Sequence, residues 1–247
     1  MPLGLLGKKL GHTRVYDTKG ILIPVTVVQV GPNRVLQVKT QQTDGYNAVQ
    51  LGFDDQKEHR ISKPLLGHIK KFNASPVKRI KEFRDFTLTV KPGDVVGAGV
   101  FAIGDFVDAI GITKGRGFEG VMKRHHFRGG DATHGAKGWR RRSGAIGCRL
   151  FPGTVRRGMR MPGHMGQVQR TTQNLEIIQV REDDNLLLIK GAMPGAEGDY
   201  VIIREAKKLP KGSEAAKNRR EPKAAAGKKA KAAAAPAAAK PAEAKKK

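Results

Sequence analysis

Residues 106–120 read FVDAIGITKGRGFEG, and the fold turns on how that stretch is understood. Gly115, Gly117 and Gly120 satisfy the G-x-G-x-x-G pattern, and the apolar run Phe106 to Ile112 supplies a strand in front of it. In a dinucleotide-binding domain such a turn feeds a helix whose N-terminus holds pyrophosphate, with an acidic residue about 20 residues further on. Here the chain continues VMKRHHFRGGDATHG, which lacks the apolar spacing of a helix that packs on a sheet. Where the ribose-binding carboxylate belongs stand Trp139, Arg140, Arg141 and Arg142. Three guanidinium groups suit phosphate rather than a ribose hydroxyl. The glycines are therefore read as places where the backbone approaches something closely.

Charge indicates what that something is. The chain holds 47 Lys and Arg against 22 Asp and Glu, a net +25. From Gly111 to Arg170 there are 14 basic and 2 acidic residues, and from Lys207 to Lys247 there are 14 and 3. The rest, with 19 basic and 17 acidic residues, is nearly neutral. Two blocks this one-sided repel themselves unless a polyanion neutralises them. A membrane is the other use of positive charge, but no apolar stretch approaches the roughly 18 residues needed to span one. The start MPLGLLGKKLGHTR is too short and polar for a secretory signal, so a cytoplasmic location is expected. The single Cys148 excludes an intramolecular disulfide framework.

Outward from the glycine stretch, strand-like runs alternate with turn signals. Residues 4–16, ILIPVTVVQV, RVLQVKT and YNAVQLGF precede the basic block, and LEIIQV, LLLIK and YVIIRE follow it. That grammar is mainly β and predicts an antiparallel barrel or sandwich, closed as one sheet system across an insertion. A short helical segment is expected after Ser62, with Pro64 in its first turn and Leu65, Leu66, Ile69 and Phe72 on one face. The expected organisation is a discontinuous β-barrel body at 1–110 and 171–206, a Gly/Arg-rich extension at 111–170 and a disordered Lys/Ala/Pro-rich tail at 207–247. The extension holds 14 glycines and only scattered aromatics, too little apolar surface to offset its ordering entropy, so it is expected to order against a partner.

Such an arm suits folded RNA: arginine forks bind phosphates and stack on bases, and glycines let the backbone come near. Duplex DNA fits less well, because no helix-turn-helix, zinc module or basic zipper is present. An enzymatic reading would pair Cys148 with His125, His126, His134 or His164, but the segment lacks a scaffold to hold that geometry. One Cys and irregular His spacing reproduce no structural zinc pattern. No catalytic residue, metal, cofactor or small-molecule substrate is expected. A general nucleic-acid condenser, suggested by the tail, is the alternative reading.

Taken together, GKKLGHTRVY, IPVTVVQVGPNRVLQVKT, DGYNAVQLGF, ITKGRGFEGVMKRHHFRGGDATHG, GAIGCRLFPGTVRRGMRMPGHMGQ and NLLLIKGAMPGAEGDYVIIRE resemble the bacterial-type large-subunit ribosomal protein three family. The resemblance runs from Gly4 to about Ala206. It implies a translation-protein type β-barrel in the cytoplasmic ribosome, binding 23S rRNA and supporting large-subunit assembly. It also implies an extension running towards the peptidyl transferase centre and the aminoacyl-tRNA entry corridor, with ribosomal proteins fourteen and nineteen as neighbours. By that analogy Lys114, Arg116, Lys123, Arg124, His125 and Arg128 line the base of the extension. Lys137, Trp139, Arg140, Arg141, Arg142 and Arg149 lie towards its tip, and Arg156, Arg157 and Arg160 on its return. Leu150 stands where some members carry an N-methylated glutamine, and it cannot accept that modification.

Overall fold

The computed structural model describes residues 3–17, 20–72 and 74–211. Its strands, in chain order, are β1 (Gly4–Tyr16), β2 (Leu22–Gln29), β3 (Asn33–Lys39), β4 (Ala48–Asp55), β5 (Val77–Arg84), β6 (Val95–Val96), β7 (Phe106–Ile112), β8 (Gly117–Glu119), β9 (Gly163–Met165), β10 (Gln169–Arg181), β11 (Leu186–Lys190) and β12 (Tyr200–Glu205). Among the described residues three short α-helices accompany them: α1 (Gln41–Asp44), α2 (Lys63–Lys71) and α3 (Val121–His125).

Six strands close a barrel in the order β1-β12-β7-β10-β11-β2, every pairing antiparallel. Closure removes the free edges that an open sheet would expose. Three staves precede the basic block and three follow it, so the body is one sheet system closed across an insertion. β3 to β6 depart from the expected barrel: they form a separate four-stranded sheet, ordered β5-β4-β3-β6. Period-2 alternation shows that a strand has a buried face, but not which sheet it joins.

The two sheets nonetheless share one core. Leu5, Val28, Val107, Ile177, Leu187, Ile189 and Ile203 of the barrel belong to the same apolar cluster as Val35, Leu51, Phe53 and Phe83 of the second sheet. At their junction Asn33 is fully buried and fully used: its Oδ1 accepts from Leu6 N–H (3.2 Å), and its Nδ2 donates to the carbonyls of Leu6 (3.1 Å) and Val30 (2.7 Å). Tyr200 of β12 makes a second fastening. Its ring meets Phe53 edge-on, its hydroxyl donates to Asp54, and Arg79 of β5 lies 4.8 Å over it.

α2 starts where expected, with Ser62 at the N-cap and Pro64 in the first turn, but the Ser62 side chain makes no capping bond. Only Ile69 of the expected apolar face is buried, against Leu36 and Val77, while Leu65 faces outward. At the other end, Ala206 and Leu209 pack on Phe106, and Lys211 Nζ lies 3.2 Å from Asp105. The described chain thus stays on the barrel as far as Lys211, and the remainder of the tail, 212–247, lies outside the described residues.

Candidate nucleic-acid interface

The arm grows from two adjacent barrel staves. β7 and β10 pair from Phe106↔Glu176 to Ile112↔Gln169, and the chain between them leaves the barrel and returns to the same place. A second, shorter ladder forms the neck: β8 pairs with β9, Gly117↔Met165 to Glu119↔Gly163. KGRGFEG is therefore the root of an arm. The helix that follows its last glycine is the five-residue α3, with Gly120 at its N-cap and Val121 as its one buried residue. That length cannot pack along a sheet as a dinucleotide fold requires.

Glycine is needed at specific points of this neck. A Cβ on Gly166, at φ +80°, would stand 2.2 Å from the Lys114 carbonyl oxygen, and one on Gly129, at φ +79°, would stand 2.2 Å from that of Arg140. The close approach read from the sequence is thus partly protein against protein. Further out, Gly130 N–H donates to the Arg140 carbonyl (3.2 Å), drawing 129–130 alongside 139–140.

Within Gly111–Arg170 only Gly111 and Val121 are buried. Lys114, Arg116, Lys123, Arg128, Lys137, Arg140, Arg141, Arg142, Arg149, Arg156, Arg157 and Arg160 are all exposed. Lys123 is partly engaged by Glu119, 3.2 Å away one helical turn back. Trp139 is 59% exposed, with the Arg142 guanidinium 5.1 Å over its ring. These two residues, with Phe127 and Arg128, line an open cleft of about 390 Å³.

Arg124 and His125 do something different from their neighbours. Arg124 Nη1 donates to the Met161 carbonyl (2.7 Å), and His125 Nε2 lies 3.1 Å from the same oxygen. They tie the outgoing chain to the returning chain, a role that charge and spacing do not reveal because Met161 is distant in sequence. Of the enzymatic and metal readings, Cys148 is exposed, and among the described residues no three His, Cys, Asp or Glu side chains converge as a metal site.

One cation escaped sequence reading. Lys9 in β1 is buried, and its Nζ donates to the carbonyls of Met193 (3.0 Å) and Gly195 (2.9 Å). Burial pushes its ammonium below the ordinary value and Lys114 adds repulsion, with Glu197 and Asp199 acting in the opposite direction. His12, to which the sequence attached no role, shares a hydrogen bond with Thr26 Oγ1 (3.0 Å), which donates to the Gly191 carbonyl.

Fold and surface together define a class: a structural β-barrel protein that carries about half of its net positive charge on an exposed arm, where a polyanion can reach it. The sequence model of the family described as ribosomal protein L3 matches residues 77–185, which span the whole arm and the strands at its root. Proteins named large ribosomal subunit protein uL3 extend the match. That of Akkermansia muciniphila is 48% identical over 211 residues, covering 84% of this chain and 100% of the relative. That of Deinococcus radiodurans is 48% identical over 205 residues, 83% of this chain and 95% of the relative, and that of Brachyspira hyodysenteriae is 47% identical over 207 residues with the same coverage. The chain belongs to the ribosomal protein L3 family, whose members are structural components of the large ribosomal subunit rather than enzymes.

Proposed function

We propose that this protein binds 23S rRNA through residues 111–170 and thereby supports assembly of the large subunit of the cytoplasmic ribosome. The observation that carries the reading is the arm itself: 14 basic residues against 2 acidic, with only Gly111 and Val121 buried. An exposed cationic segment of this kind gains its affinity from phosphate neutralisation and counterion release. The barrel, 1–110 with 171–206, acts as the rigid base. The exposed cations from Lys114 to Arg160 act as phosphate anchors, and Trp139 as a stacking plate. Arg124 and His125 serve first to hold the arm's neck.

The family resemblance extends the reading to the arm's destination: the tip at Trp139 to Arg149 runs towards the peptidyl transferase centre and aminoacyl-tRNA entry corridor, and proteins fourteen and nineteen lie beside the barrel. Trp139→Ala or Arg141→Ala should then leave the protein incorporated while altering tRNA accommodation or sensitivity to peptidyl-transferase antibiotics. Combined Arg156, Arg157 and Arg160 to Ala changes should weaken incorporation itself. If tip and stem variants lose incorporation alike, and assembled tip variants translate normally, the tip is only another anchor.

The broad test is co-sedimentation of the full chain with large subunits after a high-salt wash. The condenser alternative is separated by deleting 212–247, which spares the contacts of Leu209 and Lys211 with the barrel. Selective RNA binding should survive, whereas a condenser would lose most of its affinity.

A further inference from the structure

Beside the root of the arm lies a second, larger cleft of about 680 Å³, within the range of small-ligand sites. It opens where three parts of the molecule meet: the end of β7 and start of β10, the β12 stave, and β5 of the second sheet. Its walls are mixed in a particular way. Ile112 and Ile202 give apolar surface, and Ile112 is more than half exposed there. Arg79, Lys81 and Lys114 supply three cations against one carboxylate, Asp199, which already accepts the Ala196 N–H at 2.6 Å. Gln167 and Gln169 add side-chain amides, which offer donors and acceptors together.

One feature makes this more than a basic crevice. The Arg79 guanidinium lies 4.8 Å over the ring of Tyr200, whose own hydroxyl donates to Asp54, and a guanidinium placed against a ring is a platform for a base.

We propose that this cleft receives one extruded nucleotide of the RNA on which the arm lies, with its base between Arg79 and the isoleucine walls and its phosphate at Lys81 and Lys114. The proposal rests on the RNA-binding reading above and adds a discrete pocket on the barrel side of the root. A nucleotide matches what the cleft offers: a flat, largely apolar ring with polar edges, joined to one negative charge.

The test compares full-length protein and Ile112→Trp on large-subunit rRNA, by affinity and by chemical footprinting of both bases and backbone. The larger indole intrudes into the cleft and leaves every cation in place. Wild type should protect a single base in an unpaired segment. Ile112→Trp should expose that base and bind roughly 5- to 100-fold more weakly, while backbone protection along the arm persists. Equal affinity with unchanged base protection overturns the proposal and leaves the RNA-binding reading standing. If wild type protects no RNA along the arm, both fall. Should thermal melting show Ile112→Trp misfolded, Lys114→Gln replaces it, with several-fold weaker binding and loss of the same base protection expected. In purified subunits, a small diazirine side chain at position 112 should then crosslink to RNA; a crosslink to another protein, or none, overturns the proposal.

Discussion

Leu187 and Leu150 are the same residue in two regions of one chain, the first fully buried in the barrel and the second 92% exposed on the arm. The barrel holds its shape by apolar burial, each stave contributing inward side chains to a common core. The arm holds its shape by sparse contacts near the backbone: Gly130 to Arg140, Arg124 to Met161, and Arg142 over Trp139. One region carries its own stabilising environment, while the other leaves nearly all of its side chains exposed. The division also explains the charge: a neutral body folds without self-repulsion, and the cations are concentrated where an external anion can offset them.

The comparison can be broken most forcefully with salt. If roughly 6 to 10 of the arm's cations neutralise phosphates, affinity for an isolated rRNA fragment should fall about 10³- to 10⁵-fold between 50 and 200 mM salt. Replacing 114–167 with a short Gly/Ser linker should sharply weaken both the affinity and that dependence, leaving only the share due to the basic residues after 206, and leave a cooperatively melting barrel, because changing the length of a flexible loop costs little. A flat salt response, or a molten arm-less protein, would refute the division of labour.

Next in size is the leucine pair itself. Leu187→Ala should cost about 2–5 kcal/mol in urea unfolding. Leu150→Ala should change stability by less than about 0.5 kcal/mol. A comparable loss at both sites would mean that the arm has a core of its own.

Asn33→Ala sharpens the picture of the body, since it strands a buried N–H and two carbonyls where the sheets meet. A loss of about 1–3 kcal/mol is expected, with no change in the salt dependence of RNA binding.

The smallest effect concerns pH. Hydrogen bonds from Lys39 above all, and also from Tyr46 and Gln50, hold the Glu82 carboxyl below its ordinary value of 4.5. Its folded pKa is depressed, so its contribution is complete at neutral pH and fades as pH falls below 4.5 towards the folded value. Urea titrations should therefore show stability declining in that window, and Glu82→Gln should flatten the decline. Lys39, raised by its hydrogen bonds to Glu82 first and to Tyr46, contributes fully below 10.5 and loses its contribution in strong alkali.

Much of the barrel was legible because its strands are short apolar runs bounded by turn residues. Phe106–Ile112 and Leu186–Lys190 form strands with the bounds their sequences suggest. β5 was not legible: VKRIKEFR is dominated by charges, and only Val77 and Phe83 are buried. Its strand character comes from pairing with β4, a tertiary fact. The same limit applies to the interface. Charge marked out the arm, but pattern could not show that Arg124 and His125 face a distant carbonyl, or that Arg79, Lys81 and Lys114 converge on one cleft.

The pairing of β1 with β12 has a consequence for how the protein is made. Gly4 lies opposite Arg204, so the first stave keeps an open edge until nearly the whole described chain has been synthesised. At about 5–20 residues per second, that wait is of order ten seconds or more. The cationic arm emerges before the barrel can shut. For that interval the nascent chain presents an unpaired strand edge, open to mispairing, together with a polycation, open to capture by stray nucleic acid. Barrel closure is thus a step at which a chaperone shielding either feature would raise the yield of assembly-competent protein.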